Sequence, residues 1–392
     1  MASRNAATRV LVGAGLSVEP EPFVGAVEAA RVADAALSGA PPDLAVVFAS
    51  GTHLIEPEAT LAGVYHVIEP RTLIGCGAAG VLGAGRELES GSAVAVWAAA
   101  FGAGATADAF HATGTVGAIE GLPDIGGTSG VILLSDPYSF PTDEALGRLS
   151  GDAAVVPVLG GVASARSADG AGVLFAGDQV CDEGAVGVTL ENVEVLPCVS
   201  QGAVPLGREM TITAAEENVI HELAGRPALE TIEQIIAGLP ARERALLEAG
   251  VLIGIVIDSG KPEYEQGDFL VRGVLGADPN SGRVAIGATV REGQVVRLHA
   301  RDATSAAEDL RRSLKLRLEA LAGVSPAGAL VFSCNGRGRA MFGTCDHDAK
   351  TIERELGGAP TAGFFAAGEI GPVGGRVFLH GFTATVAIFP GS

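Results

Sequence analysis

The sequence predicts an α/β protein of four related strand–helix–strand units in two pseudo-symmetric halves. Its sheets are expected to be mixed or antiparallel, with helices on the outside. Three observations carry that expectation. Apolar runs rich in Val and Ile end in a serine at four places. A segment with helical spacing follows most of them. Glycine-rich turns then lead into further short apolar runs.

The four runs are "LAVVFASGT" (44–52), "VILLSDP" (131–137), "LIGIVIDSG" (252–260) and "ALVFSCNG" (329–336), and each reads as a buried strand. Residues 57–69 have apolar positions at helical spacing. Residues 142–149 open on a Thr142 cap with Asp143 and Glu144 in the first turn. Residues 346–356 open on Asp346, a helix N-cap or first-turn acid, and carry Arg354 near their end. The third copy has only "PEYEQGD" (262–268) in that place. Turn chemistry such as "SADG" and "DPNSG" then separates later strands. A wider likeness pairs 8–51 with 294–336, since both read strand, helix, proline-containing loop, strand. In the second, Leu310, Leu314, Leu318 and Leu321 share one helix face. The expected domains are therefore 1–195 and 196–392.

The stretch "TLIGCGAAGVLG" (72–83) contains G-x-G-x-x-G at Gly75, Gly77 and Gly80. A dinucleotide fingerprint needs a helix at its second or third glycine and an acid about 20 residues on. Here a glycine-rich polar turn follows instead, and "WAAAFGAG" occupies the acid's place. The glycines read as a sharp strand turn, and no nucleotide cofactor is expected.

Composition excludes several classes. A formal charge of −20 repels phosphate backbones and anionic membranes, so neither nucleic acid nor membrane is an expected partner. Charged residues are only 18% against 48% hydrophobic, which describes a globular chain rather than a disordered one. The five cysteines are scattered without a C-x-x-C pair, which fits a reduced, cytoplasmic protein without a zinc site, and no metal or other cofactor is expected. Glu19 and Glu21 end the N-terminal apolar run too early for a secretory signal. The uncharged segment 91–107 reads as a buried strand and its turn rather than a membrane span.

Several motifs resemble the FIST-domain family. In the C-terminal part these are "SCNGRGR" (333–339), Gly363-Phe364-Phe365, Gly368-Glu369-Ile370-Gly371-Pro372 and His380-Gly381-Phe382-Thr383. Upstream, 199–230 is similar to the start of the family's C-terminal region. "PPDLAVVFASG" and "TLIGCGAAGVLG" are similar to its N-terminal region. The resemblance implies an intracellular sensory module that binds small ligands, with amino acids as a candidate class. The sequence departs from the family at Ala203, where a cysteine is expected, and shows no fused signalling segment. Output is then expected through a signalling partner or a homo-oligomer.

The candidate ligand site is Ser333, Cys334, Asn335, Arg337, Phe364, Glu369 and His380. A strand ends near Ser333 and turns through two glycines, so exposed amides, Asn335 and the forked guanidiniums of Arg337 and Arg339 can face one spot. Arg337 suits a carboxylate and Glu369 an ammonium, and together they match a zwitterion. The competing reading is that Arg337 pairs with a nearby acid and pins the turn. Phe364 is expected to wall a pocket or fill the core, and His380 to bind or to be a satisfied core residue. An alternative function is a hydrolase or transferase with Cys334 as nucleophile and His380 as base. A third is an assembly protein without a small ligand.

Overall fold

The computed structural model describes residues 10–150, 156–165 and 172–391. By contacts the chain falls into two compact units. One contains the residues up to Val199, Leu310–Leu379 and those from Ala384 on; the other contains Ser200–Asp309 with His380–Thr383. Among the described residues, no helix is long and apolar enough to cross a membrane.

The first unit is an α/β assembly of three mixed sheets. In the first sheet, Leu44–Ser50 pairs parallel with Thr72–Gly77 and antiparallel with Ala93–Ala100, which in turn pairs with Leu11–Ser17. In the second, Gly130–Ser135 pairs parallel with Val158–Val162 and antiparallel with Ala185–Glu191, whose other neighbour is Thr106–Thr115. In the third, Pro326–Cys334 pairs parallel with Thr361–Ala366 and antiparallel with Thr383–Pro390, whose other neighbour is Leu196–Gln201. Each serine-containing strand end therefore lies mid-sheet. A helix crosses to each parallel partner: Pro57–Tyr65, Thr142–Leu149 and His347–Glu355. Parallel neighbours need such a crossover.

Each sheet is completed by a hairpin from another part of the chain. The hairpin Val81–Gly83/Arg86–Leu88 leaves the first sheet and pairs with Thr361–Ala366 of the third. The hairpin Leu174–Ala176/Gln179–Cys181 follows the second sheet's strand and pairs with Thr72–Gly77 of the first. Gly368–Val373, followed by Arg376–His380, leaves the third and pairs with Val158–Val162 of the second. The exchange runs in a closed cycle.

The three crossing segments meet. Phe365 N donates to Gly80 O at 3.0 Å, Ala367 N to Val162 O at 2.9 Å, and Ala79 N to Ser164 Oγ at 2.9 Å; the Ser164 hydroxyl donates to Phe365 O. This explains the glycines of "TLIGCGAAGVLG". A Cβ on Gly75 would lie 2.2 Å from the Val47 carbonyl oxygen, and one on Gly80 would lie 2.3 Å from that of Leu88. The spacing serves close approach between strands.

The core of this unit is apolar and aromatic. Phe48, Phe332 and Phe364 form a triangle with ring centroids 5.1–6.4 Å apart. Trp97 packs on Phe389 at 4.9 Å. Rings of this size dominate core burial. On the helix Pro22–Ala36, Ala26, Ala29, Ala30 and Ala33 are buried, while Phe23, Val24 and Val32 are exposed.

The second unit has one sheet, and it does not repeat the pattern. Leu252–Val256 has only antiparallel neighbours, Phe269–Asp278 and Val295–Arg301. The segment between Val256 and Phe269 contains no helix, so a parallel return is not available to it. The sheets therefore display three like units and one different one, not the expected four in two halves. The long strand Ala203–Glu216 pairs with both Val295–Arg301 and Val219–Leu223, which closes the ring of strands. Ile212, Ile220, Ile232, Val296, Leu298 and neighbours form its core beside the helix Ala228–Gly238.

Candidate functional site

The strand Pro326–Cys334 is buried from Gly328 to its end because both its neighbours are paired. It stops where Arg337 N turns back to Cys334 O at 2.8 Å, while Asn335 N donates to Ala366 O at 2.9 Å. Gly338, at φ +93°, turns the chain into the short helix Arg339–Phe342. The missing side chain there admits Glu89, whose Oε1 accepts from Arg339 N at 2.8 Å.

Arg337 is buried and points inward. Its Nε donates to Asp348 Oδ2 at 2.6 Å and its Nη2 to Asp348 Oδ1 at 3.1 Å, a two-pronged pair. Ser333 Oγ donates to Asp348 Oδ2 at 3.3 Å, and His347 Nδ1 lies 3.0 Å from Asp348 Oδ1. The Arg337 guanidinium sits over the Phe342 ring at 5.3 Å, and that ring stacks on His347 at 3.7 Å. Burial alone pushes the Asp348 carboxyl up, but the Arg337 charge and the bonds from His347 and Arg337 outweigh it. The carboxyl is held well below the usual range. Arg337 Nη1 is buried and has no hydrogen-bond partner among the described residues.

The helix His347–Glu355 that supplies Asp348 is anchored from the first half of the chain. Glu87 Oε1 accepts from the amides of Asp348 and Ala349 at 2.8 and 2.9 Å, and Glu87 N donates to Asp346 Oδ1 at 2.8 Å. Asp346 occupies the N-cap position expected of it, without a side-chain cap bond. Glu87 takes that role because the exchanged hairpin brings it there. Burial raises the Glu87 carboxyl, the Asp348 and Glu89 charges add to that, and the two helix amides oppose it.

The structure thus brings together Ser333, Cys334 and Arg337, with the Glu369 charge close enough to stabilise Arg337 as a cation. Gly336 N donates to Cys334 Sγ at 3.4 Å. Asn335 is exposed on the turn. Glu369 is fully buried and lies opposite Gly161 in the second sheet. Phe364 is in the aromatic core triangle. His380 is 3% exposed and is grouped with the second unit.

Sequence reasoning missed Asp348, His347, Phe342 and Glu87. The competing reading, that Arg337 pairs with a nearby acid, finds that acid in Asp348, which holds two of its nitrogens. The signal for Asp348 and His347 was the run "CDHD" (345–348), set one turn and a short helix after the arginine. Nothing local to Glu87 marked it.

A model described as the FIST N domain matches residues 43–226, and one described as the FIST C domain matches residues 228–372. An uncharacterized protein of Mycobacterium tuberculosis is 44% identical over 383 residues, covering 96% of this chain and 99% of its own length. An uncharacterized protein of Mycobacterium bovis is 42% identical over 383 residues, covering 96% and 98% respectively.

Proposed function

This chain belongs to the FIST family, and on that premise we propose that it is a cytoplasmic small-ligand sensor whose recognition loop is the turn 333–337. FIST domains are generally associated with small-ligand sensing in signalling. The observation that carries the reading is Arg337. Asp348 occupies its Nε and Nη2, and its Nη1 is a buried donor without a partner among the described residues. A buried donor of that kind calls for an acceptor. A ligand carboxylate supplies one, and Glu369, whose charge reaches Arg337, suits an ammonium on the same molecule. The favoured class is therefore free amino acids. Ser333, Cys334 and Asn335 border the turn, while Phe364 supports it from the core. The bound state is relayed through a partner protein or a homo-oligomer.

The test is thermal unfolding of the full chain against free amino acids. A ligand at 100 times its Kd adds about 2.7 kcal/mol of stability. Arg337→Lys keeps a cation for Asp348 but removes Nη1, so the shift is expected to vanish in that variant. A panel without any shift removes the amino-acid reading.

One observation favours a second reading. The Gly336 amide donates to Cys334 Sγ and the Arg337 guanidinium lies close by, contacts that suit a thiol nucleophile. Stoichiometric alkylation of Cys334 within minutes at neutral pH would move a thiol enzyme ahead of the sensor.

A further inference from the structure

A cysteine and a histidine meet in the first unit, apart from the turn at Arg337. Cys181 ends the strand Gln179–Cys181, the outer strand of the hairpin that completes the first sheet. His111 lies in Thr106–Thr115 of the second sheet, directly opposite Val186. The chain runs from Cys181 through Asp182, Glu183 and Gly184 into Ala185–Glu191, and this short crossing between sheets brings the two side chains together. Gly184, at φ +91°, makes the turn and leaves room for the ring. A Cβ there would lie 2.3 Å from Ala112 O and 3.0 Å from His111 Nε2.

His111 Nε2 lies 2.9 Å from Glu183 O. A carbonyl only accepts, so Nε2 carries the ring hydrogen and Nδ1 keeps its lone pair. Cys181 Sγ lies 3.9 Å from that Nδ1, a length that a thiol hydrogen bond spans. Thiol, imidazole and carbonyl stand in the order of a nucleophile, its base and the group that orients the base. Burial raises the Cys181 thiol and the Asp182 charge adds to that, so the sulfur rests as a thiol and needs a base in order to attack. Cys181 is half-buried and His111 is exposed, so a small reagent can reach the pair. Leu174 stands between Cys181 and Cys76, paired directly with each. Two strand spacings put these cysteines roughly 10 Å apart, beyond the span of a disulfide, and Cys76 is fully buried. The neighbouring thiol of the sheet is therefore not a disulfide partner for Cys181.

We propose that Cys181 is a reversible modification site for small disulfides, with His111 as its general base. Cys181 Sγ attacks one sulfur of a disulfide R–S–S–R. His111 Nδ1 takes the thiol proton as the new Sγ–S bond forms and the old S–S bond breaks, and it then gives that proton to the leaving thiolate. The products are a mixed disulfide at Cys181 and one R–SH. The Cys181 sulfur is oxidised and the departing sulfur is reduced, so the disulfide itself is the oxidant. A returning small thiol reverses the exchange. Asp182 and Glu183 beside the thiol are exposed acids, so an amine-bearing disulfide such as cystamine suits the site. This site is independent of the one at Arg337, and the failure of either leaves the other standing.

The experiment treats the full chain with cystamine and follows each cysteine peptide by mass spectrometry. Cys345 is the internal reference, since it is more exposed than Cys181 and is likewise followed by an aspartate. At pH 7.5 Cys181 is expected to react at least about tenfold faster than Cys345. His111→Gln is expected to slow Cys181 by at least about tenfold at that pH and to leave Cys345 unchanged. Most of that deficit is expected to disappear at pH 10, where the thiol ionises without a base. Imidazole in solution is expected to restore the rate in His111→Ala. Three outcomes overturn the proposal. One is Cys181 reacting no faster than Cys345, and another is a rate unchanged in His111→Gln. The third is a deficit as large at pH 10 as at pH 7.5, which would mean that the ring only shapes the surface around the thiol.

Discussion

Two arginine clusters in this molecule are built in opposite ways. Arg337 is compensated within the chain, its charge matched by Asp348 through two hydrogen bonds and one nitrogen left over. The row Arg297–His299–Arg301 is compensated only in part, with one acid and one carbonyl at the arginines' outer nitrogens and three buried nitrogens without a hydrogen-bond partner among the described residues. The first arginine is held by a partner of opposite charge on a neighbouring helix, while the row keeps buried nitrogens without a partner among the described residues. The same side chain is thus closely matched in one place and loosely matched in the other.

The strongest way to break this contrast is to remove Asp348. Asp348→Ala leaves the buried Arg337 charge uncompensated, and stability is expected to fall by about 3–5 kcal/mol in denaturant unfolding. A loss no larger than that of an exposed substitution would mean that the pair does not hold the turn.

Acid sharpens the other side of the comparison. The pKa of His299 is about 4 when folded, against 6.5 when unfolded. Its neutral form is therefore favoured by folding. Its contribution is complete above pH 6.5 and is lost as pH falls from 6.5 to about 4, by about 3 kcal/mol. His53, also lowered by burial, acts in the same direction. His299→Leu is expected to flatten only its own share of the pH–stability curve, and an unchanged slope would show the ring to be unperturbed.

The smallest expected effect lies at Glu87. Glu87→Ala frees two amides at the start of the helix that carries Asp348, at a cost of about 1–2 kcal/mol. Glu87→Gln keeps an acceptor oxygen without a charge that burial opposes, and is expected to stay within about 0.5 kcal/mol of the wild type in the same measurement.

Much of the local structure was legible in the sequence. The Val- and Ile-rich runs are the central strands, and Asp346 stands at a helix N-cap, whereas Thr142, read as a cap, is the first helical residue behind Pro141. "PEYEQGD" correctly marked a unit without a helix. The hairpin exchange was not legible, since Val81–Leu88 reads as a hairpin whichever sheet receives it. The candidate site was legible to the same depth. "SCNGRGR" pointed to a buried, charged turn, but the partner of Arg337 depends on a helix start held by Glu87, more than 250 residues away in sequence. Likewise, Arg297, His299 and Arg301 read as an ordinary alternating strand until their buried nitrogens are counted.

The cyclic exchange of hairpins bears on how this chain is made. The first sheet can be completed once residue 181 has emerged from the ribosome, but the edge strand Val158–Val162 waits for Gly368–Val373, and Val81–Leu88 waits for Thr361–Ala366. During synthesis the N-terminal half carries unpaired backbone edges, which are templates for misassociation. A cut between the FIST N and FIST C matches, at residue 227, separates strands that share a sheet. The two fragments, co-expressed, are set up to find each other by strand pairing, so the fold is a natural candidate for split-protein complementation.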